Sequence, residues 1–139
     1  MLVQFAESDT QILKCFPTLL QLRSHLQQET FLEQIQRQRQ EGYQLAFTEV
    51  DQRAIAVAGF RISECLAHGR FMYVYDFVVD EAMRSRQHGQ HLFEWLIEYA
   101  RSQNCKVLSL DSGVQRFAAH RFYLRQRMSI SAHHFSLYL

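Results

Sequence analysis

Residues 80–91 read Asp-Glu-Ala-Met-Arg-Ser-Arg-Gln-His-Gly-Gln-His. Arg84, Arg86 and His88 set positive charge just ahead of a segment patterned as a helix. A helix N-terminus already turns unpaired N–H groups and a partial positive charge outward, so such a turn can hold a phosphate or pyrophosphate. Gly89 lets ligand oxygens approach the backbone, because no Cβ intrudes. The same residues equally fit a solvated basic connection between two elements. Two phosphate motifs are excluded: the chain lacks the Gly-Lys-Ser/Thr ending of a P-loop and three glycines after a strand, the dinucleotide fingerprint.

Other groups with chemistry are scattered. His120 lies one helical turn before Tyr123, on a related face, where it either lines a pocket or packs. Tyr73, Tyr75 and Phe77 form an aromatic stripe that suits a pocket wall or a core equally. Asp76, Glu49, Asp111 and His120 are the candidate bases, and none is singled out. Strand alternation sets Asp76 opposite to Tyr75 and Phe77 unless a bulge re-aims it. His133 and His134 are adjacent, so on a strand they face opposite ways and do not share one ion; no metal is expected. Cys15, Cys65 and Cys105 are odd in number and far apart, which argues against a disulfide scaffold or a zinc site.

The elements that must position these groups are legible from periodicity. Residues 2–6 look like a strand. Ser8 and Asp9 offer N-cap oxygens to a helix carrying Ile12, Leu13, Phe16, Leu19 and Leu20, with Pro17 bending or breaking it. A second helix is predicted over residues 31–40, stopped by Gly42; its glutamines suit a wet helix face. Strands over 43–50 and 54–62 form a hairpin, and residues 71–79 are the strongest strand. A helix over 89–102, a strand over 106–110, a helix over 115–126 and one or two strands over 129–139 complete the chain. Strand, helix and strand across 71–110 make a βαβ unit with parallel strands, so the class is α/β with a mixed sheet.

The 139 residues suit one domain, 1–139. Fifteen basic against fourteen acidic side chains give a net charge of +1, which offers no bulk attraction for nucleic acid or an anionic membrane. With no signal-like N-terminus and no apolar run approaching about 20 residues, a cytoplasmic protein is expected.

The run Val79-Asp80-Glu81-Ala82-Met83-Arg84-Ser85-Arg86-Gln87-His88-Gly89 resembles the acyl-CoA loop of the GNAT superfamily of N-acetyltransferases, Arg/Gln-x-x-Gly-x-Gly/Ala. Arg84 opens the motif, Gly89 is its second glycine, and Gln87 replaces the first. That replacement either narrows the pyrophosphate cradle or is harmless, if the position has ordinary helical dihedrals. Downstream, Ala119, Phe122 and Tyr123 match a second family signature, Ala-x-x-Phe-Tyr-x-x-x-Gly-Phe, although Arg127-Met128 stand in place of Gly-Phe.

The resemblance implies a mostly antiparallel sheet with a central βαβ unit of splayed parallel strands, flanked by helices. It implies acetyl-CoA as co-substrate, with main-chain groups of Phe77, Val78 and Val79 bonding pantetheine. The pyrophosphate would rest on Arg84, Ser85, Arg86, Gln87, His88, Gly89 and Gln90. Tyr123 would be the acid that protonates the departing thiolate, and Tyr73, Tyr75 and His120 would line the site of an amine acceptor. The glutamate used by the histone-acetylating branch falls on Tyr73. A homodimer is implied by resemblance only. Two other readings remain open: a GNAT-fold module that senses acyl-CoA, with Gln87 as the mark of decay, and a nucleotide-phosphate binder using only the basic turn.

Overall fold

The computed structural model describes residues 1–139, which form two compact units, Met1–Ser109 and Leu110–Leu139. The order is β1 (Gln4–Phe5), α1 (Asp9–Leu22), α2 (Gln28–Gln40), β2 (Tyr43–Val50), β3 (Arg53–Cys65), β4 (Gly69–Val79), a 3-10 turn (Glu81–Met83), α3 (His88–Ser102), β5 (Val107–Leu110) and α4 (Phe117–Arg125). The strands lie in the order β1-β2-β3-β4-β5. The first four are antiparallel neighbours. β4 and β5, joined through α3, form the parallel pair, and near its start the Lys106 N–H donates to the Arg70 carbonyl at 2.7 Å. This is the expected mixed α/β sheet.

Two faces of the sheet are covered differently. On one, Ile12, Cys15, Phe16 and Leu19 of α1 and Phe31 and Ile35 of α2 pack with Leu45, Phe47, Val57 and Val78; the rings of Phe16 and Phe31 meet edge to face at 5.0 Å. On the other, α3 buries Leu92, Phe93 and Leu96, and its Phe93 and Trp95 meet Phe77 and Phe60 of the sheet. Each fully buried side chain of this kind contributes about 1.5–3 kcal/mol.

That arithmetic explains why Pro17, expected from the sequence to bend or break α1, does not break it. The helix runs 14 residues with Pro17 inside it. Proline removes one backbone bond and costs about 3 kcal/mol in a helix interior, but Ile12, Cys15, Phe16 and Leu19 stay buried on one face, and together they outweigh it. A reciprocal capping box fixes the start: the Gln11 N–H donates to Ser8 Oγ at 3.2 Å, and the Ser8 N–H donates to Gln11 Oε1 at 3.1 Å.

Several boundaries and features differ from expectation, among them the ends of β1, β3, β4 and α4. α2 begins at Gln28, three residues early, because Gln28, Glu29 and Thr30 carry no apolar period although the Phe31 N–H already bonds the Gln27 carbonyl at 3.1 Å. The β2–β3 turn is only Asp51-Gln52, with φ of 51° and 63°, the backbone of a two-residue hairpin whose twist matches its strands. The register of β3 and β4 shifts between Gly59 and Phe60, so Gly59 faces Asp76, Phe60 faces Val74 and Tyr75 is the extra residue of a bulge. Finally, residues 129–139 contain no strand; Ile130, Phe135, Leu137 and Tyr138 are exposed, so the β-like alternation there finds no ladder within its unit.

Candidate functional site

The loop after β4 is fixed at its origin by one carboxylate. Asp80 is buried. Its Oδ1 accepts from the Ala82 N–H at 3.0 Å and from Gln21 Nε2 at 3.3 Å, and its Oδ2 accepts from Arg53 Nη2 at 2.6 Å. Gln21 completes the clasp by accepting the Glu81 N–H at 3.0 Å. The bond from the Ala82 N–H, aided by Gln21 and the Arg53 charge, holds the Asp80 carboxyl below its ordinary range despite the opposing effect of burial. The loop therefore leaves the sheet along a path tied to α1 and to the β2–β3 hairpin.

Its second half is shaped by backbone rather than by side chains. Ser85 and Gln87 are both left-handed, with φ of 66° and 65°. Left-handed residues in a turn are one ingredient of the backbone concavities that bind anions. α3 starts directly afterwards. Its N-cap is Gln87, which makes no side-chain cap bond, and its first turn holds no acidic residue. In α1, by contrast, Ser8 and Gln11 cap the helix and Asp9 sits in the first turn. The N-terminus of α3 is thus available to a diphosphate in a way that α1 is not.

Gln87 occupies the place of the motif's first glycine, and its positive φ means that its dihedrals are not the ordinary helical ones that would have made the replacement harmless. Residues with a Cβ adopt this region at about 1 kcal/mol or more. The arginines are also partly committed: Arg84 Nε donates to the Val79 carbonyl at 3.2 Å, and Arg86 Nη1 lies 3.9 Å from Met83 Sδ. His88, Gly89 and Gln90 form the first turn of α3.

Along β4 the bulge divides the aromatic stripe that the sequence suggested as one wall. Phe77 turns to α3, its ring edge-on to Phe93 at 5.7 Å, while Val78 is buried with α1 and α2 and Val79 is half-buried. Tyr73 and Tyr75 instead lie together, ring centroids 4.7 Å apart, with Tyr43 at 6.3 Å from Tyr75.

The bulge also re-aims Asp76. Its Oδ2 accepts from the Tyr43 hydroxyl at 2.7 Å, and its Oδ1 accepts from Arg23 Nε at 3.0 Å, while Arg23 Nη2 donates to the Tyr75 carbonyl at 2.8 Å. Burial, then the adjacent Asp76 charge and hydrogen bond, push the Tyr43 phenol well above its usual value. Gly59 makes this possible. A Cβ there would stand 1.7 Å from the Tyr43 hydroxyl oxygen, so only glycine lets the phenol cross the strand. Sequence reasoning missed Tyr43 and Arg23; the one available signal was a glycine inside an otherwise apolar strand.

Arg23, Asp76 and Tyr43 border a cavity of about 320 Å³ between the end of α1, α2 and the bulge, with Leu26, Phe31 and His25 among its other walls. Glu49 is not part of it and is committed elsewhere: it accepts from Lys14 Nζ at 3.0 Å and Gln4 Nε2 at 3.1 Å, and these bonds lower its pKa.

Tyr123 and His120 stand on α4, in the C-terminal unit. Tyr123 is half-buried, and burial raises its phenol above the ordinary value, partly countered by the Arg116 charge. Its ring meets Phe122 edge-on at 5.6 Å. His120 Nε2 lies 2.7 Å from the Gly113 carbonyl; a carbonyl only accepts, so Nε2 donates to it. Asp111 Oδ2 pairs with His134 Nδ1 at 2.8 Å. No group of three or more His, Cys, Asp or Glu gathers as a metal site, and no helix is long and apolar enough to cross a membrane.

A βαβ unit whose connecting loop leads into a helix without a side-chain cap, inserted in a mixed, mostly antiparallel sheet, defines an α/β protein with one parallel strand pair. Residues 10–127 match the model of the acetyltransferase (GNAT) family, and the chain belongs to that family, as an acetyl-CoA-dependent acyltransferase. It is 30% identical over 109 residues, 78% of this chain and 77% of the other, to the uncharacterized N-acetyltransferase YhdJ of Bacillus subtilis. Among solved structures, a transcriptional regulator from Bacillus halodurans superposes with a TM-score of 0.86 at 15% identity, covering 99% of both chains. Glucosamine-6-phosphate N-acetyltransferase from Arabidopsis thaliana superposes with a TM-score of 0.77 at 22% identity, again over 99% of both. At these identities the two structures speak for the fold alone.

Proposed function

We propose that the chain, acting as a single domain, moves an acetyl group from acetyl-CoA to a primary amine of a small molecule or peptide by direct transfer. The observation that carries this reading is the uncapped first turn of α3, entered through left-handed Ser85 and Gln87 and preceded by Arg84 and Arg86. In it the diphosphate rests on amides of residues 84–90, and pantetheine runs beside the main chain of Phe77, Val78 and Val79. The free amine attacks the thioester carbonyl, the C–N bond forms, the C–S bond breaks, and an N–H donor near Val79 holds the oxyanion between these events. Of the two protons the nitrogen loses, one goes to solvent before attack; the other, lost from the tetrahedral intermediate, restores the acid that has given its own proton to the departing sulfur.

An alkylamine titrates near ~10.4, so its proton must leave before attack; Glu49 and Asp111 already hold cationic or imidazole partners and are poor choices for removing it. Tyr123 carries the acid role by the resemblance of its Phe-Tyr pair: its phenol is protonated at neutral pH, although the rise that burial causes weakens it as a donor to a thiolate whose own pKa is about 8.5.

The test is Tyr123→Phe, followed by thiol release and by calorimetry with acetyl-CoA. Turnover is expected to fall about a hundredfold or more while affinity for acetyl-CoA stays nearly unchanged; an equal loss in both makes Tyr123 a packing residue. If acetyl-CoA binds the wild type and no amine is consumed, the chain is a sensor rather than an enzyme.

A further inference from the structure

We infer that the cavity between α1, α2 and the β4 bulge takes the acceptor, and that this acceptor is a small amphoteric amine, one carrying an acidic group on the same molecule. The inference rests on the acetyl-transfer reading and adds the class of its second substrate. Arg23 spends Nε on Asp76 and Nη2 on the Tyr75 carbonyl, which leaves Nη1 of a guanidinium that is 44% exposed. A guanidinium presents its donors as a rigid fork suited to carboxylate or phosphonate oxygens. The two bonds it already makes fix that fork in place, so little side-chain entropy remains to be lost on binding. His25 and Gln38 border the same cavity. Gln38 uses its Oε1 to accept from Gln34, which turns its amide N–H groups to donation. The rim is therefore rich in donors.

The floor has the opposite character. Asp76 is the only acidic residue lining the cavity; its side chain is 16% exposed, and Oδ1 accepts from Arg23 and Oδ2 from Tyr43. A carboxylate has about four acceptor positions, so an ammonium can be added without breaking either bond. Asp76 also directly precedes Phe77, the first residue whose main chain is assigned to pantetheine. Acceptor and donor rows separated by one side chain fit an amine and an acid a few bonds apart, and Leu26 and Phe31 fit a short alkyl body between them. A cavity of about 320 Å³ is at the small end of ligand sites, which favours a free small molecule over a peptide.

The experiment uses the whole chain with acetyl-CoA and three matched series: ω-amino acids of two to six carbons, their primary amides, and the corresponding alkylamines. Thiol release is expected to be at least about tenfold more efficient with the acids than with amides or amines of equal length, and the gap should close in Arg23→Gln through acceptor KM, with acetyl-CoA KM unmoved. His25→Ala, on an exposed turn, should narrow the gap without touching stability and covers the case in which Arg23→Gln fails to fold. Equal efficiency across the three series overturns the acceptor class and leaves acetyl transfer standing; no turnover of any of them by a protein that binds acetyl-CoA overturns the acceptor class and favours the sensor reading. Failure to bind acetyl-CoA in calorimetry instead overturns the reading beneath it.

Discussion

Gln87 holds a left-handed backbone at the point where the loop enters α3, and glycine would hold it without steric penalty. Gln87→Gly is therefore expected to raise stability by about 1 kcal/mol, read as an upward shift in melting temperature, and to tighten acetyl-CoA binding in calorimetry because the cradle is then held without strain. A marked loss of affinity would instead show that the glutamine amide itself is a ligand. Residue identity alone placed Gln87 at the right motif position but left its dihedrals open, since the same side chain suits a helix and a turn. Tyr123 was legible as half of a Phe-Tyr pair. Arg23 was not: nothing in a lone arginine after a helix tells that its guanidinium will reach a strand some 50 residues away.

The β4 bulge works as an element because three residues from three segments depend on it: Gly59 opposite, Tyr43 across, and Asp76 in it. Gly59→Ala should destabilise the protein by about 1–3 kcal/mol, the usual effect of overpacking, and the loss should be visible as a lower urea midpoint with an unchanged slope. Turnover should fall with it if Asp76 loses its aim. Most elements were readable from periodicity, since α1, α3 and β4 each bury a continuous apolar set. The bulge was foreseen only as a condition on Asp76, because one extra residue in a strand leaves no mark in an alternation already blurred by aromatics on both faces. Residues 129–139 show the converse: an apolar alternation is a statement about how a strand would face, and it does not supply the neighbour that a ladder needs.

Across the whole molecule, acid sensitivity should trace to Asp80. Its carboxyl titrates lower in the folded chain than its ordinary 3.8, so its stabilisation is fully present above that value and is lost as pH falls through the folded value. Asp80→Asn should flatten the acid limb of a stability–pH curve below about pH 4 and lower stability at neutral pH by about 1–3 kcal/mol, because the amide keeps an acceptor for the Ala82 N–H but sets an NH2 where a second oxygen took a donor. The Arg53 side chain is 66% exposed, so its ion pair adds little.

Thiol chemistry should divide in the same global way. Burial pushes the Cys15 thiol up to about 12, so at pH 8 a thiol reagent should leave Cys15 untouched until urea unfolds the chain, while half-buried Cys65 reacts in the native state; mass mapping of the labelled peptide checks this. The chain also has a single tryptophan. Trp95 lies about two turns into α3, stacked on Tyr99 with centroids 5.2 Å apart and planes within 3°, and touched edge-on by Phe5 and Phe60. The protein thus carries one tryptophan emitter, on the same rigid rod whose amino end is proposed to hold the diphosphate, and its emission offers an optical gauge of occupancy there with no dye attached.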